Sequence, residues 1–200
     1  YTLSLHDALP ISKCNIMETI SSNRPKIVVI GSCNTDMVVK ANRLPVPGET
    51  ILGGTFYMNP GGKGANQAIA AARLGAEVTF ISKIGYDLFG LQALEIYRSE
   101  KINTEFIFTD QKSPSGVALI SVDSFGENSI IVAPGASRSL STEDINKAEE
   151  KIKEADIILM QLEVPIDTVE YAATIANRYG KKVILNPAPA STLSNSFLNN

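Results

Sequence analysis

Four short apolar runs recur along the chain: Lys26-Ile27-Val28-Val29-Ile30, residues 78–81, residues 156–162 and residues 182–185. They are largely free of polar alternation, the pattern of strands buried on both faces of a parallel sheet. Helical spacing fills the intervals. Residues 68–74 are Ala-rich, and Gly75 supplies a stop. Asp87 is placed to N-cap a second helix, with Leu91 and Leu94 turned inward and Gln92, Glu95 and Ser99 mostly exposed. Ser141 with Asp144 approximates a capping box, and Ile145, Ala148, Ile152 and Ala155 form the apolar stripe that follows. Glu149 and Lys153 are spaced to pair on its wet side. Pro165 suits the first turn of another helix, where Ile166, Val169, Ala173 and Ala176 repeat the stripe before Gly180. This strand–helix rhythm predicts an α/β fold with a doubly wound (Rossmann-like) parallel sheet and right-handed crossovers.

Two groups of β-like pieces interrupt the rhythm. Residues 37–39, 50–52 and 55–57 form the first, with a turn at Pro45-Val46-Pro47-Gly48. Residues 105–108, 116–122 and 128–132 form the second. Strands inserted between α/β units predict a small sheet standing off the main one.

Composition changes the picture only by exclusion. Two hundred residues suffice for one domain, and a net charge of −3 gives no support for nucleic-acid binding. No apolar run approaches the roughly 18 residues of a membrane helix. Residues 1–16 read as a translated sequencing adapter, with Met17 as the start of the protein proper, and they stay out of the fold reasoning. The alternative is an amphipathic or targeting extension, but the basic and apolar regions of a signal peptide are missing. His6, the only histidine, and Cys14 fall in this leader, so neither is assigned a role. Cys33 is left as a lone thiol without a partner base. It reads as a small buried residue at a strand end, and the simplest setting is a reducing cytoplasm. No metal-ligand cluster is visible.

The candidate chemistry centres on Gly61-Gly62-Lys63-Gly64-Ala65-Asn66-Gln67. Three glycines within four residues permit close backbone approach, and the turn feeds a helix N-terminus that favours oxygen-rich ligands. The glycines alone read equally well as a packing turn; the interleaved Lys63 and Asn66 favour a ligand site. Lys63 is followed by Gly64, so this is not a Walker A loop, and Pro60 is a poor end for the central strand of a dinucleotide fingerprint. Asn34 and Asp36 follow the first strand, two residues apart and on one side of an extended chain. Alone, they suit either adjacent sugar hydroxyls or an Asx-type turn. Glu163 closes another strand at the edge where open α/β sheets place ligand groups. Asp87 reads as a cap rather than a catalytic group.

Gly62-Lys63-Gly64-Ala65-Asn66-Gln67, Gly31-Ser32-Cys33-Asn34-Thr35-Asp36 and Asn186-Pro187-Ala188-Pro189-Ala190 together resemble the ribokinase/PfkB family of carbohydrate kinases, in order and spacing, from about Lys26 onward. The resemblance implies ATP-dependent phosphorylation of D-ribose to D-ribose 5-phosphate. It implies a sugar site of Asn34, Thr35, Asp36, Gly62, Lys63, Gly64, Ala65, Asn66 and Glu163, and a lid with strands over residues 37–58 and 104–122. A homodimer through the lid, and ATP, Mg²⁺ and K⁺ as cofactors, follow from the same source. Residues 17–200 are expected to be the N-terminal part of such a domain, C-terminally truncated. The family's Asn-x-x-Glu and Gly-Ala-Gly-Asp motifs, the latter with the general-base aspartate, would lie beyond Asn200. No catalytic residue is therefore assigned, and the chain alone is expected to be inert. Another sugar or nucleoside kinase of the family, or a non-catalytic sugar-binding module, are the competing readings. A dinucleotide-dependent oxidoreductase is disfavoured, because no glycine fingerprint directly follows the first strand.

Overall fold

Valine and isoleucine alternate faces along β1 (Lys26–Ile30), and both faces are covered. That puts β1 at the centre of a parallel sheet. The computed structural model describes residues 24–194 and 197, so the adapter-like leader, with His6 and Cys14, and Met17 lie outside the described residues. The main sheet has five parallel strands in the order β5-β4-β1-β8-β9, with β4 at Glu77–Gly85, β5 at Ile107–Asp110, β8 at Ile157–Gln161 and β9 at Lys182–Asn186. Val28, Ile30, Ile81, Ile158 and Met160 face α3 (Thr142–Lys147), α4 (Glu149–Glu154) and α5 (Ile166–Arg178). Val29, Val78 and Phe80 face α1 (Lys63–Arg73) and α2 (Leu88–Ser99). The doubly wound reading is met.

A second sheet, in the order β3-β2-β6-β7, is built from β2 (Asn34–Lys40), β3 (Thr55–Gly61), β6 (Gly116–Val122) and β7 (Asn128–Ala133). Pro60 sits in an edge strand, where a missing N–H costs no ladder bond. Strand register divides the small sheet's side chains. Asp36, Ala118 and Val132 lie in one row, and Met37, Leu119 and Ile131 lie in the next, on the opposite face.

Four expectations are corrected. The 105–108 stretch does not join the small sheet; β5 pairs with β4 on the edge of the main sheet, and β7 completes the small one. Residues 50–52 form no strand. Leu91 does not face inward but is 55% exposed, and α2 buries Gly90, Ala93 and Tyr97 instead. The small residues let the helix sit close, and the Tyr97 ring meets Phe80 edge-on at 5.4 Å. Finally, the helix after Ser141 breaks at Ala148 into α3 and α4. Its stripe stays buried, but Glu149 bonds to Tyr179 and Arg178 of the α5 end, while Lys153 pairs with Glu150. Asp87 and Ser141 cap as expected, the latter in a full capping box.

One polar tie crosses the core. The Lys83 ammonium on β4 lies 2.7 Å from the buried carboxylate of Asp144 and 3.0 Å from the Ser139 carbonyl. Burial alone would raise the Asp144 pKa, but the Lys83 and Ser141 hydrogen bonds outweigh it and hold the carboxyl below its ordinary range. Removing one partner strands a buried charge. Asp144→Ala is expected to lose about 3 kcal/mol in urea unfolding at neutral pH. Because the folded pKa is depressed, that contribution is full above the ordinary carboxylate value and fades as pH falls below it. A loss under about 1 kcal/mol would show that this pair carries little.

Candidate sugar-binding site

The chain leaves β1 toward β4 on one side, and β8 lies on the other, so sequence order reverses between these two neighbours. Ligand crevices of doubly wound sheets open at such a point, beyond the strand C-termini. Ser32 follows β1 there, and Glu163 follows β8.

Glycines bring the third segment in. A Cβ on Gly64 would lie 2.7 Å from the backbone of Gly31 and Ser32, and one on Gly31 2.9 Å from the Gly64 Cα, so α1 touches the β1 exit only because neither glycine carries a side chain. Gly62, the helix N-cap, has φ +93° and offers no capping side chain. Glu163 takes over that function. Its Oε2 accepts from the Lys63 backbone N–H at 2.9 Å and from the Ser32 hydroxyl at 2.5 Å, and its Oε1 accepts from Lys63 Nζ at 2.8 Å. A carboxylate at a helix N-terminus is stabilised by the helix dipole as well. Burial would raise its pKa, yet the Lys63 and Ser32 hydrogen bonds bring it below the ordinary value. Of roughly four lone-pair positions, three are used, which leaves one for a ligand hydroxyl.

Across the crevice the small sheet presents Asn34 and Asp36. Asn34 is only 5% exposed, and its Oδ1 meets no donor among the described residues. The half-buried Asp36 carboxylate accepts no hydrogen bond from any described residue. Burial and the nearby Glu163 charge raise its pKa, against a smaller opposing pull from Lys63. Asp36 fills the space a Cβ at position 61 would need, so Gly61 keeps the carboxylate aimed inward. Asn34, Asp36, Gly62, Lys63, Asn66 and Glu163 thus line one cavity of about 150 Å³, roofed by Ala118, Ile120, Ile130 and Val132. An adjoining cavity of about 360 Å³ shares Asn34, Lys63, Val132 and Glu163 and adds Ser32, Pro134, Arg138, Leu162 and Pro189.

Three expected site residues do not line either cavity. Thr35 points to the opposite face of β2, toward Phe89 and Ile96 of α2. Gly64 serves the backbone crossing, and Ala65 is buried in the core with its N–H given to the Ser32 carbonyl. Two residues were not anticipated. Ser32 could have been, since its hydroxyl directly follows the strand-ending Gly31. Arg138 carries no local signal, because only the chain's return from the small sheet brings it to the crevice. Cys33 is buried, and its Sγ lies 2.9 Å from the Tyr97 hydroxyl. Burial pushes the thiol up to about 11, so it stays protonated and unreactive.

A doubly wound α/β body with an acceptor-lined crevice under a second sheet defines a class, and the comparisons with known proteins agree. Residues 24–198 match the pfkB family carbohydrate kinases, and the chain belongs to that family. The ribokinase of Haemophilus influenzae is 46% identical over 175 residues, covering 88% of this chain and 57% of that protein. The deoxyribokinase of Salmonella typhi is 42% identical over 164 residues, covering 82% and 54% respectively. A solved structure of Arabidopsis thaliana ribokinase complexed with ribose and ATP matches with a TM-score of 0.75 at 32% identity, covering 88% of this chain and 58% of that one. The chain spans a little over half the length of these relatives.

Glu163→Gln removes the charge that joins three segments. The variant is expected to lose about 2 kcal/mol at neutral pH in urea unfolding. The depressed Glu163 pKa makes that contribution full above the ordinary carboxylate value and lost as pH falls through the folded one, so the two proteins converge in acid. Parallel stability curves down to low pH would contradict this account.

Proposed function

We propose that this chain is the sugar-holding part of an ATP-dependent kinase that phosphorylates D-ribose to D-ribose 5-phosphate. The observation that carries the reading is the pair of unmet acceptors, Asn34 Oδ1 and the Asp36 carboxylate, facing the Glu163–Lys63 pair. Acceptors left without donors call for a ligand that donates, and two carboxylates beside one ammonium disfavour an anion. A neutral polyol meets both conditions. Lys63 has donors to spare for its hydroxyl oxygens. The apolar roof of Ala118, Ile120, Ile130 and Val132 excludes water from the bound sugar. In this reading the small sheet is a lid, and residues 17–200 are one part of a longer kinase domain.

The chain's own residues hold and orient the sugar, which lowers the cost of bringing a hydroxyl in line for attack. ATP supplies the phosphoryl group when bound, and Mg²⁺ and K⁺ accompany it in this reading. Among the described residues no group of three or more His, Cys, Asp or Glu gathers to hold a metal ion, so no step is assigned to a metal on this chain. The general base belongs to the remainder of the kinase. No helix among the described residues is long and apolar enough to cross a membrane, and a cytoplasmic setting goes with the reading. The deoxyribokinase relative makes 2-deoxy-D-ribose the second candidate substrate.

A second copy of the chain is the partner we infer. Val39, Phe56, Met58, Leu119 and Ile131 are exposed and share, by register, the small-sheet face turned from the crevice. So large an exposed apolar face suits a partner surface. Sedimentation over a concentration series is expected to show a dimer; monomer throughout would remove the inference.

Calorimetric titration tests the substrate. D-ribose is expected to bind more tightly than D-fructose, and a chain indifferent to both sugars would overturn the proposal. Asp36→Asn is expected to weaken ribose about tenfold, the loss of one charge-assisted hydrogen bond. It is also expected to raise the melting temperature. The folded Asp36 pKa is raised, so the ionised form costs stability as pH rises through it, and asparagine removes that cost.

A further inference from the structure

The two joined cavities differ in charge. The inner one holds Asp36, and its other charges, Lys63 and Glu163, neutralise each other at 2.8 Å. The outer one shares that neutral pair and adds Arg138. The Arg138 guanidinium makes no hydrogen bond or ion pair with any described residue. Other cations that face the interior of the fold are matched: Lys83 by Asp144, and Lys63 by Glu163. The outer cavity therefore carries one uncompensated positive charge, beside a cavity with an uncompensated negative one.

The backbone beneath Arg138 is fixed although its side chain is exposed. It belongs to a 3₁₀ turn, Gly135–Ser139, in which Ala136 and Ser137 are fully buried. The Ala136 N–H donates to the Pro114 carbonyl, and the Ser137 hydroxyl accepts from the Cys33 N–H at 3.3 Å. The Ser139 hydroxyl donates to Asp110 at 2.6 Å. The turn is thus pinned to the β1 exit and to β5, and Arg138 projects from a rigid base.

We propose that Arg138 makes the outer cavity a phosphate site, so that the crevice takes hydroxyls at its inner end and a phosphate group at its outer end. The inference rests on the sugar-site reading for the inner cavity. A guanidinium presents a planar fork of donors that matches phosphate oxygens, and a free one at the mouth of a crevice draws anions to it. Asp36 repels the anion from the inner end, which fixes the direction in which a phosphorylated sugar lies. The phosphate comes either attached to the sugar or as the free ion.

Titration of the 200-residue chain with D-ribose, D-ribose 5-phosphate and inorganic phosphate separates these sources. With Arg138→Ala, the ratio of ribose 5-phosphate to ribose affinity is expected to fall about tenfold, and Arg138→Lys is expected to restore part of it. A structural defect would lower both affinities together and leave the ratio alone. If inorganic phosphate binds the wild type and not Arg138→Ala, the site takes the free ion. An unchanged ratio together with unchanged phosphate binding in Arg138→Ala would overturn the proposal. Failure of the wild type to bind ribose would overturn the sugar reading instead, and phosphate binding that depends on Arg138 would then still stand.

Discussion

The crossing of Gly31 and Gly64 is the constraint on which the rest depends. A helix N-terminus meets the end of the central strand with no side chain between them, and everything that touches Glu163 follows from that approach. Gln161 lies over the bare Cα of Gly31 and hydrogen-bonds Gln67 on α1, so β1, β8 and α1 close around the same point. Ser82 adds a fourth hold by donating to the Gly31 carbonyl at 2.7 Å. The helix lacks a capping side chain at Gly62, and the carboxylate that satisfies its first N–H comes from 100 residues further along the chain. A local deficit in the helix thereby becomes a tertiary tie.

That tie explains how the crevice tolerates charge. Against its own burial, the Lys63 and Ser32 hydrogen bonds hold the Glu163 carboxyl below its ordinary range, while burial first and the Glu163 charge second raise the pKa of Asp36 across the gap. Among the described residues the Asp36 carboxylate and Asn34 Oδ1 find no partner, a cost that natural cores seldom leave standing without a use. Paying it here keeps acceptors pointed at the space a ligand would fill. The glycines at 61 and 64 act in complementary ways: one leaves room for a carboxylate, and the other lets backbone meet backbone.

The main sheet was readable because buried strands leave an apolar run that needs no partner to recognise. Capping was readable for a similar reason, since Asp87 and Ser141 bond within three residues of themselves. What failed depended on distant packing. Leu91 obeys a helical period, but the helix turns its Gly90–Ala93–Tyr97 face to the sheet because the small residues allow the closer fit. The 105–108 stretch resembles its neighbours in composition, and only the edge left open by β4 decides which sheet it joins. Glu149 finds partners on α5 that no i, i+4 rule contains. The site was half legible. Asn34, Asp36, Lys63 and Glu163 each follow a strand end or a glycine turn, whereas Thr35 was carried along by its neighbours and alternation turns it away.

Arg138 shows why the remaining part was hidden. No spacing marks it, because its place depends on the chain leaving the main sheet at β5, making two strands of the small sheet and returning over the β1 exit. The same return path lays Ile130 and Val132 over the inner cavity. Roof and guanidinium therefore arrive on one continuous segment, the roof on the small sheet and the guanidinium on the turn pinned to the β1 exit. Pro134 marks the junction between the two: up to Ala133 the chain is still paired with β6, and after it the turn is held by Pro114, Cys33 and Asp110.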